Sequence, residues 1–145
     1  MVLETDLTIV IDLMAKLKRR HYLPALFWAI LILTVSSIPH LPPLTDKIKI
    51  GDKIAHFLEY FVFGALIAHM LRQMNKSILR ILLMTSVIGT IYGILDELHQ
   101  LFIPGRITDP LDMTADALGA ILASLIYIWW QNRRDSRILP PPDSH

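Results

Sequence analysis

No cysteine occurs anywhere in the chain. That absence removes a disulfide scaffold, a zinc–thiolate site, an iron–sulfur cluster and a thiol nucleophile. Charge is also scarce. Asp, Glu, Lys and Arg make up 19% of the residues and hydrophobic types 53%, where a soluble domain carries about 25% charged residues. A net charge of +1 gives no electrostatic case for nucleic acid, and no such partner is expected. What remains is a balance that leans toward lipid.

The 145 residues accommodate four membrane-spanning helices of about 20 residues each and a set of short ends and loops. They leave no room for a bundle and a separate soluble domain. From Tyr22 to Thr45 there is no Asp, Glu, Lys or Arg, and its first part, YLPALFWAILILTVSSIP, reads as a first span. Three further apolar stretches, Tyr60–Leu71, Ile81–Leu95 and Ala117–Asn132, are shorter between charges. Fifteen helical residues cover about 22 Å against a hydrocarbon core of about 30 Å, so these spans must borrow polar flanks. The expected limits are Lys53–Leu71, Ser77–Leu98 and Pro110–Trp130, with Asp109 as N-cap ahead of Pro110.

The basic residues orient the spans. Lys16, Lys18, Arg19 and Arg20 precede the first, Arg72, Lys76 and Arg80 surround the loop between the second and third, and Arg133, Arg134 and Arg137 follow the fourth. These are ten of the fourteen, with Lys47, Lys49, Lys53 and Arg106 on the other side. The asymmetry predicts both termini in the cytoplasm, with Tyr127, Trp129 and Trp130 as the inner aromatic anchor. The predicted fold is all-α: a polytopic membrane protein with four transmembrane helices in a small bundle. Residues 1–21 form a cytoplasmic leader, readable as an interfacial helix or as a segment whose basic end only sets topology. Residues 22–131 form the membrane domain, and the Pro-rich residues 132–145 a disordered tail.

Polar residues gather at the outer end of this arrangement. At 100° per residue, Asp52, His56, Glu59 and Tyr60 share one arc of the second span, and Gly89, Gly93, Asp96, Glu97 and Gln100 one arc of the third. Asp109, Asp112, Asp116, Gly119, Ala120 and Ala123 do the same on the fourth, while His99 points away from its neighbours. The stripes predict a polar pocket opening outward and sealed beneath by small residues that let helices approach closely. Ionisable groups at membrane depth are costly, which makes them candidates for function. Single carboxylates also read as solvated caps or as partners of Lys53 or Arg106. The convergent set outnumbers those bases and calls for protons, a metal ion or a cationic ligand.

The runs DKIAHFLEYFVFGALIAHML and GILDELHQLFIPGRITDPLDMTADALGA resemble the VanZ-like family of small bacterial membrane proteins. Asp52, His56 and Tyr60 match its first helix motif, and Glu97, Gln100, Arg106, Asp112, Asp116 and Gly119 match the rest in order and spacing. The resemblance covers residues 22–130 and leaves the leader and tail unexplained. The family takes its name from a protein associated with teicoplanin resistance, so the resemblance implies a multi-pass protein of the bacterial inner or plasma membrane with a role in the cell envelope. It implies neither a reaction nor resistance to any drug.

Three functions compete. One is binding or modification of a lipid-linked envelope precursor or a phospholipid, with membrane lipids as partners. His56, Glu97, Asp112 and Asp116 are then the catalytic candidates, the first two for proton transfer. Asp52, Tyr60, Gln100 and Arg106 are the substrate-binding candidates, Arg106 through a bidentate phosphate contact. Asp112 and Asp116, one helical turn apart, offer oxygen ligands to a hard divalent ion, but the pattern names no metal or cofactor. The second is a non-enzymatic partner subunit whose polar residues glue helices together. The third, a proton-linked transporter, is disfavoured because the inner halves of the spans are apolar apart from His69. Whether the protein is an enzyme, and its oligomeric state, stay open at this point.

Overall fold

The structure, a computed structural model, describes residues 20–39 and 49–138. The leader up to residue 19 and the tail from residue 139 lie outside the described residues. Four helices and no strand occur among the described residues: α1 Leu23–Ser36, α2 Lys49–Gln73, α3 Ile78–Gln100 and α4 Pro110–Ile138. Three stretches are long and apolar enough to cross a membrane: Gly51–Gln73, Ile78–Gln100 and Pro110–Ser136. The first helix is apolar but has 14 residues, a rise of about 21 Å at 1.5 Å per residue. The last helix continues to Ile138, so the boundary expected at residue 131 falls inside it.

Local chemistry explains the helix ends. Asp109 Oδ1 accepts the Leu111 N–H at 2.9 Å and Pro110 follows it directly, the cap expected from sequence. At the C-terminus of α2, Asn75 adopts φ 55°, which lets Asn75 N–H reach Arg72 O and Lys76 N–H reach Leu71 O. This is the Schellman pattern that satisfies the last carbonyls of a helix. Gly105, at φ 80°, turns the loop between α3 and α4.

The α2–α4 interface is the most extensive, followed by α3–α4, with α1 laid chiefly against α2. Lipid supplies no hydrophobic drive between helices, so close approach depends on small residues. A Cβ at Gly64 would lie 2.7 Å from the Ala120 Cα, and one at Gly119 would strike the Phe57 carbonyl. Gly89 faces the Ala120 methyl, and a Cβ at Gly93 would lie 2.8 Å from the Asp116 Cβ. Tyr60, Phe63 and Tyr92 form an aromatic cluster beside these contacts, with Phe63 and Tyr92 centroids 5.1 Å apart. The outer surfaces are apolar: Phe27, Leu79, Leu83, Leu95 and Leu118 are all exposed. Such a coat suits hydrocarbon and would be a liability in water.

At the end carrying the loop between α2 and α3, Arg133 stacks on Trp129 at 4.3 Å and Arg134 faces Trp130 at 5.5 Å. These are cation–π pairs at the spacing of one helical turn. This is the end where the aromatic anchor was expected.

Candidate functional site

His56 lies one turn beyond Asp52 on α2, and both project toward the start of α4. The His56 Nδ1 lies 3.1 Å from Asp116 Oδ1. An ionised carboxylate only accepts, so Nδ1 carries the proton of this bond and Nε2 is left as the other functional nitrogen. Nε2 lies 4.0 Å from Glu97 Oε1. One donor atom from each of Asp52, His56 and Asp112 lies within 4.8 Å of the others. Lys53 bonds Asp109 Oδ2 at 2.6 Å and Asp112 Oδ1 at 3.0 Å.

The second carboxylate oxygen of Glu97 accepts the Asp109 N–H at 3.1 Å, and Thr108 Oγ1 donates to the Glu97 backbone carbonyl at 3.3 Å. The loop after α3 is thereby fastened beside His56. Glu97 and Asp116 are both fully buried. Even so, Glu97 Oε1, Asp116 Oδ2 and the Tyr60 hydroxyl have no hydrogen-bond partner among the described residues. Buried polar atoms are nearly always paired, and each orphan calls for an explanation.

A second polar group faces α1. Both oxygens of Asp96 are engaged: Ser36 Oγ donates to Oδ1, and Gln100 Nε2 donates to Oδ2 at 3.2 Å. Ser37 Oγ lies 2.9 Å from His99 Nε2, and Arg106 donates to the Val35 carbonyl at 2.9 Å. Further along α1, Trp28 Nε1 donates to the Glu59 carbonyl and the Tyr92 hydroxyl to the Ala29 carbonyl. These contacts hold the first helix to α2, α3 and the loop that follows α3.

Of the expected site residues, Asp52, His56, Glu97, Asp112 and Asp116 come together, with Tyr60 one turn below His56 on the same face of α2. Gln100 and Arg106 belong to the α1-facing group. The expected Asp112–Asp116 pairing divides, with Asp116 on His56 and Asp112 on Lys53. Lys53, a candidate partner for the single carboxylates, bridges Asp109 and Asp112. Sequence reasoning did not single out Ser36, Ser37 or Gly64. Gly64 carried a usable signal, since it continues the His56–Tyr60 stripe at four-residue spacing. Among the described residues the polar stripes of α2, α3 and α4 meet in direct side-chain contacts. A shallow, half-open recess lies at the opposite end beside Arg72, Ile81 and Tyr127.

A family model described as VanZ/LLP1 matches residues 9–131, the greater part of the chain. No curated protein and no solved structure matches.

Proposed function

Because the chain belongs to the VanZ/LLP1 family, we propose that it is a four-span membrane protein of the cell envelope that binds or modifies a lipid-linked or phospholipid substrate at the His56 centre. In this reading both termini are cytoplasmic, as the Lys and Arg distribution indicates. The centre then lies at the extracytoplasmic end of the helices.

The observation carrying this reading is Glu97 Oε1, buried and unpaired 4.0 Å from His56 Nε2. Structural glue has its polar atoms satisfied, and this one is held in reserve. Asp116 orients the imidazole, Nε2 and Glu97 form a proton-exchanging pair, and Tyr60 supplies a further hydroxyl. A lipid partner is supported by the loop after α3, where Phe102 and Ile107 are 81% and 86% exposed on either side of Arg106. Apolar side chains at that level suit the headgroup boundary. Arg106 keeps guanidinium hydrogens beyond the one given to Val35, including a buried Nε–H without a partner. A second reading, the partner subunit, draws on the Asp96 group, which joins helices and leaves neither oxygen of its carboxylate unpaired.

Native mass spectrometry of gently purified protein tests the proposal. The expected result is one co-purifying lipid, retained by the wild type and lost in Glu97→Gln at unchanged thermal stability. Lipid retention and complementation at wild-type levels in that variant would overturn it.

A further inference from the structure

We propose that Asp52, His56 and Asp112 form a binding site for a divalent transition-metal ion of the Mn²⁺ to Zn²⁺ series, with Asp116 as the positioning residue behind His56. Their donor atoms, from two adjacent turns of α2 and the first turn of α4, already lie within 4.8 Å of one another. Donors around such an ion stand about 3–4 Å apart, since each bond is about 2.0–2.2 Å.

The ring of His56 is set up as a ligand. Metal-binding imidazoles characteristically give their other N–H to a carboxylate, which fixes tautomer and orientation. Asp116 Oδ1 stands in that position at Nδ1, 3.1 Å away. The independent sign is Glu97. Its side chain is fully buried, its Oε1 has no partner, and that atom faces Nε2 at 4.0 Å. An anion at that place is explained by a cation beside Nε2, as a further ligand or as acceptor for a metal-bound water.

Charge and access agree. Asp52, Glu97, Asp109, Asp112 and Asp116 surround the centre, while Lys53 engages Asp109 and one oxygen of Asp112. The other Asp112 oxygen is left for an ion. Asp52 is exposed, which provides the route of entry. The donor set selects the metal. Ca²⁺ and Mg²⁺ prefer all-oxygen surroundings, whereas two carboxylates and an imidazole suit Mn²⁺ or Zn²⁺. Three protein ligands leave coordination positions for water or a substrate oxygen. With an ion on Nε2, proton exchange falls to Glu97 and a metal-bound water instead of the imidazole; ion binding is tested apart from the lipid reading, because it is measured with the metal alone.

The test is a titration of full-length protein, stripped with EDTA in a non-ionic detergent, with Mn²⁺ followed by electron paramagnetic resonance. One Mn²⁺ per chain is expected, displaced by Zn²⁺ and left in place by an equal concentration of Ca²⁺. Asp52→Asn lies on the exposed side and keeps the fold, so it decides the case should a His56 variant fail to fold. It should weaken Mn²⁺ at least tenfold. Asp116→Asn should weaken it by about 10–100-fold, the usual effect of losing the carboxylate behind a ligand histidine. Lys53→Met should strengthen binding severalfold by releasing Asp112, a gain that a purely structural ion pair does not produce. Less than one ion per chain, or equal affinity in wild type and Asp52→Asn, would overturn the proposal.

Discussion

Two polar groups share one end of this helix bundle and differ in how completely they are satisfied. In the Asp96 group both carboxylate oxygens have a donor, Ser36, Gln100 and His99 find partners, and Arg106 gives one hydrogen to Val35 while its buried Nε–H stays unpaired. In the His56 group, Glu97 Oε1, Asp116 Oδ2 and the Tyr60 hydroxyl are buried without one. Leaving a buried polar atom unpaired costs about 1–3 kcal/mol, and more for a charged one. Two of these three atoms belong to the carboxylates that flank His56. The difference teaches that satisfaction, and not burial or charge alone, separates a lock from a site.

The largest expected effect erases the comparison by removing the interface that supports both groups. Gly119→Leu drives a side chain into the Phe57 backbone carbonyl and toward the Phe61 amide, so α2 and α4 must part. Overpacking of this kind costs about 1–3 kcal/mol where neighbours can shift, and backbone cannot easily do so. Folded protein recovered by size-exclusion chromatography should fall to a small fraction of wild type.

The sharpest test sets adjacent carboxylates against each other. Asp96→Ala deprives Ser36 and Gln100 of their acceptor and should cost about 1–3 kcal/mol, read as a lowered thermal midpoint in detergent. Glu97→Gln keeps the size of the side chain and removes a buried charge whose Oε1 has no hydrogen-bond donor. Its midpoint should stay level or rise while complementation in cells is lost. If the two variants behave alike, the distinction between lock and site fails.

A more local effect is expected at Arg106. The guanidinium caps the Val35 carbonyl at the negative end of α1. Arg106→Ala should therefore cost about 1.5–3 kcal/mol, the range of hydrogen bonds to charged groups. Arg106→Lys should recover part of that stability. Hydrogen exchange along residues 23–36 should rise in the alanine variant and leave α2 and α4 unchanged.

Much of this arrangement was legible beforehand because helical periodicity is a strong signal. The stripes of α2 and α4 placed His56, Asp112 and Asp116 on converging faces, and the Asp109–Pro110 cap marked the start of α4 correctly. The glycines at 89, 93 and 119 announced close contacts that the structure contains. Less legible was the role of α1. Its polar end consists of Ser36 and Ser37 in a run without charge, and two serines carry no periodicity that points to a partner.

The sequence by itself determined the helical class, the apolar coat, the family and which faces are polar, since these follow from residue order and a repeat of 3.6 residues per turn. Only the tertiary structure decided which polar residue meets which. Asp96 and Glu97 are neighbours in the chain, yet 100° of helix rotation sends one toward α1 and the other toward His56. Which helix stands in each direction depends on packing between segments far apart in the sequence. That packing turned a single stripe into a satisfied lock and an unsatisfied centre.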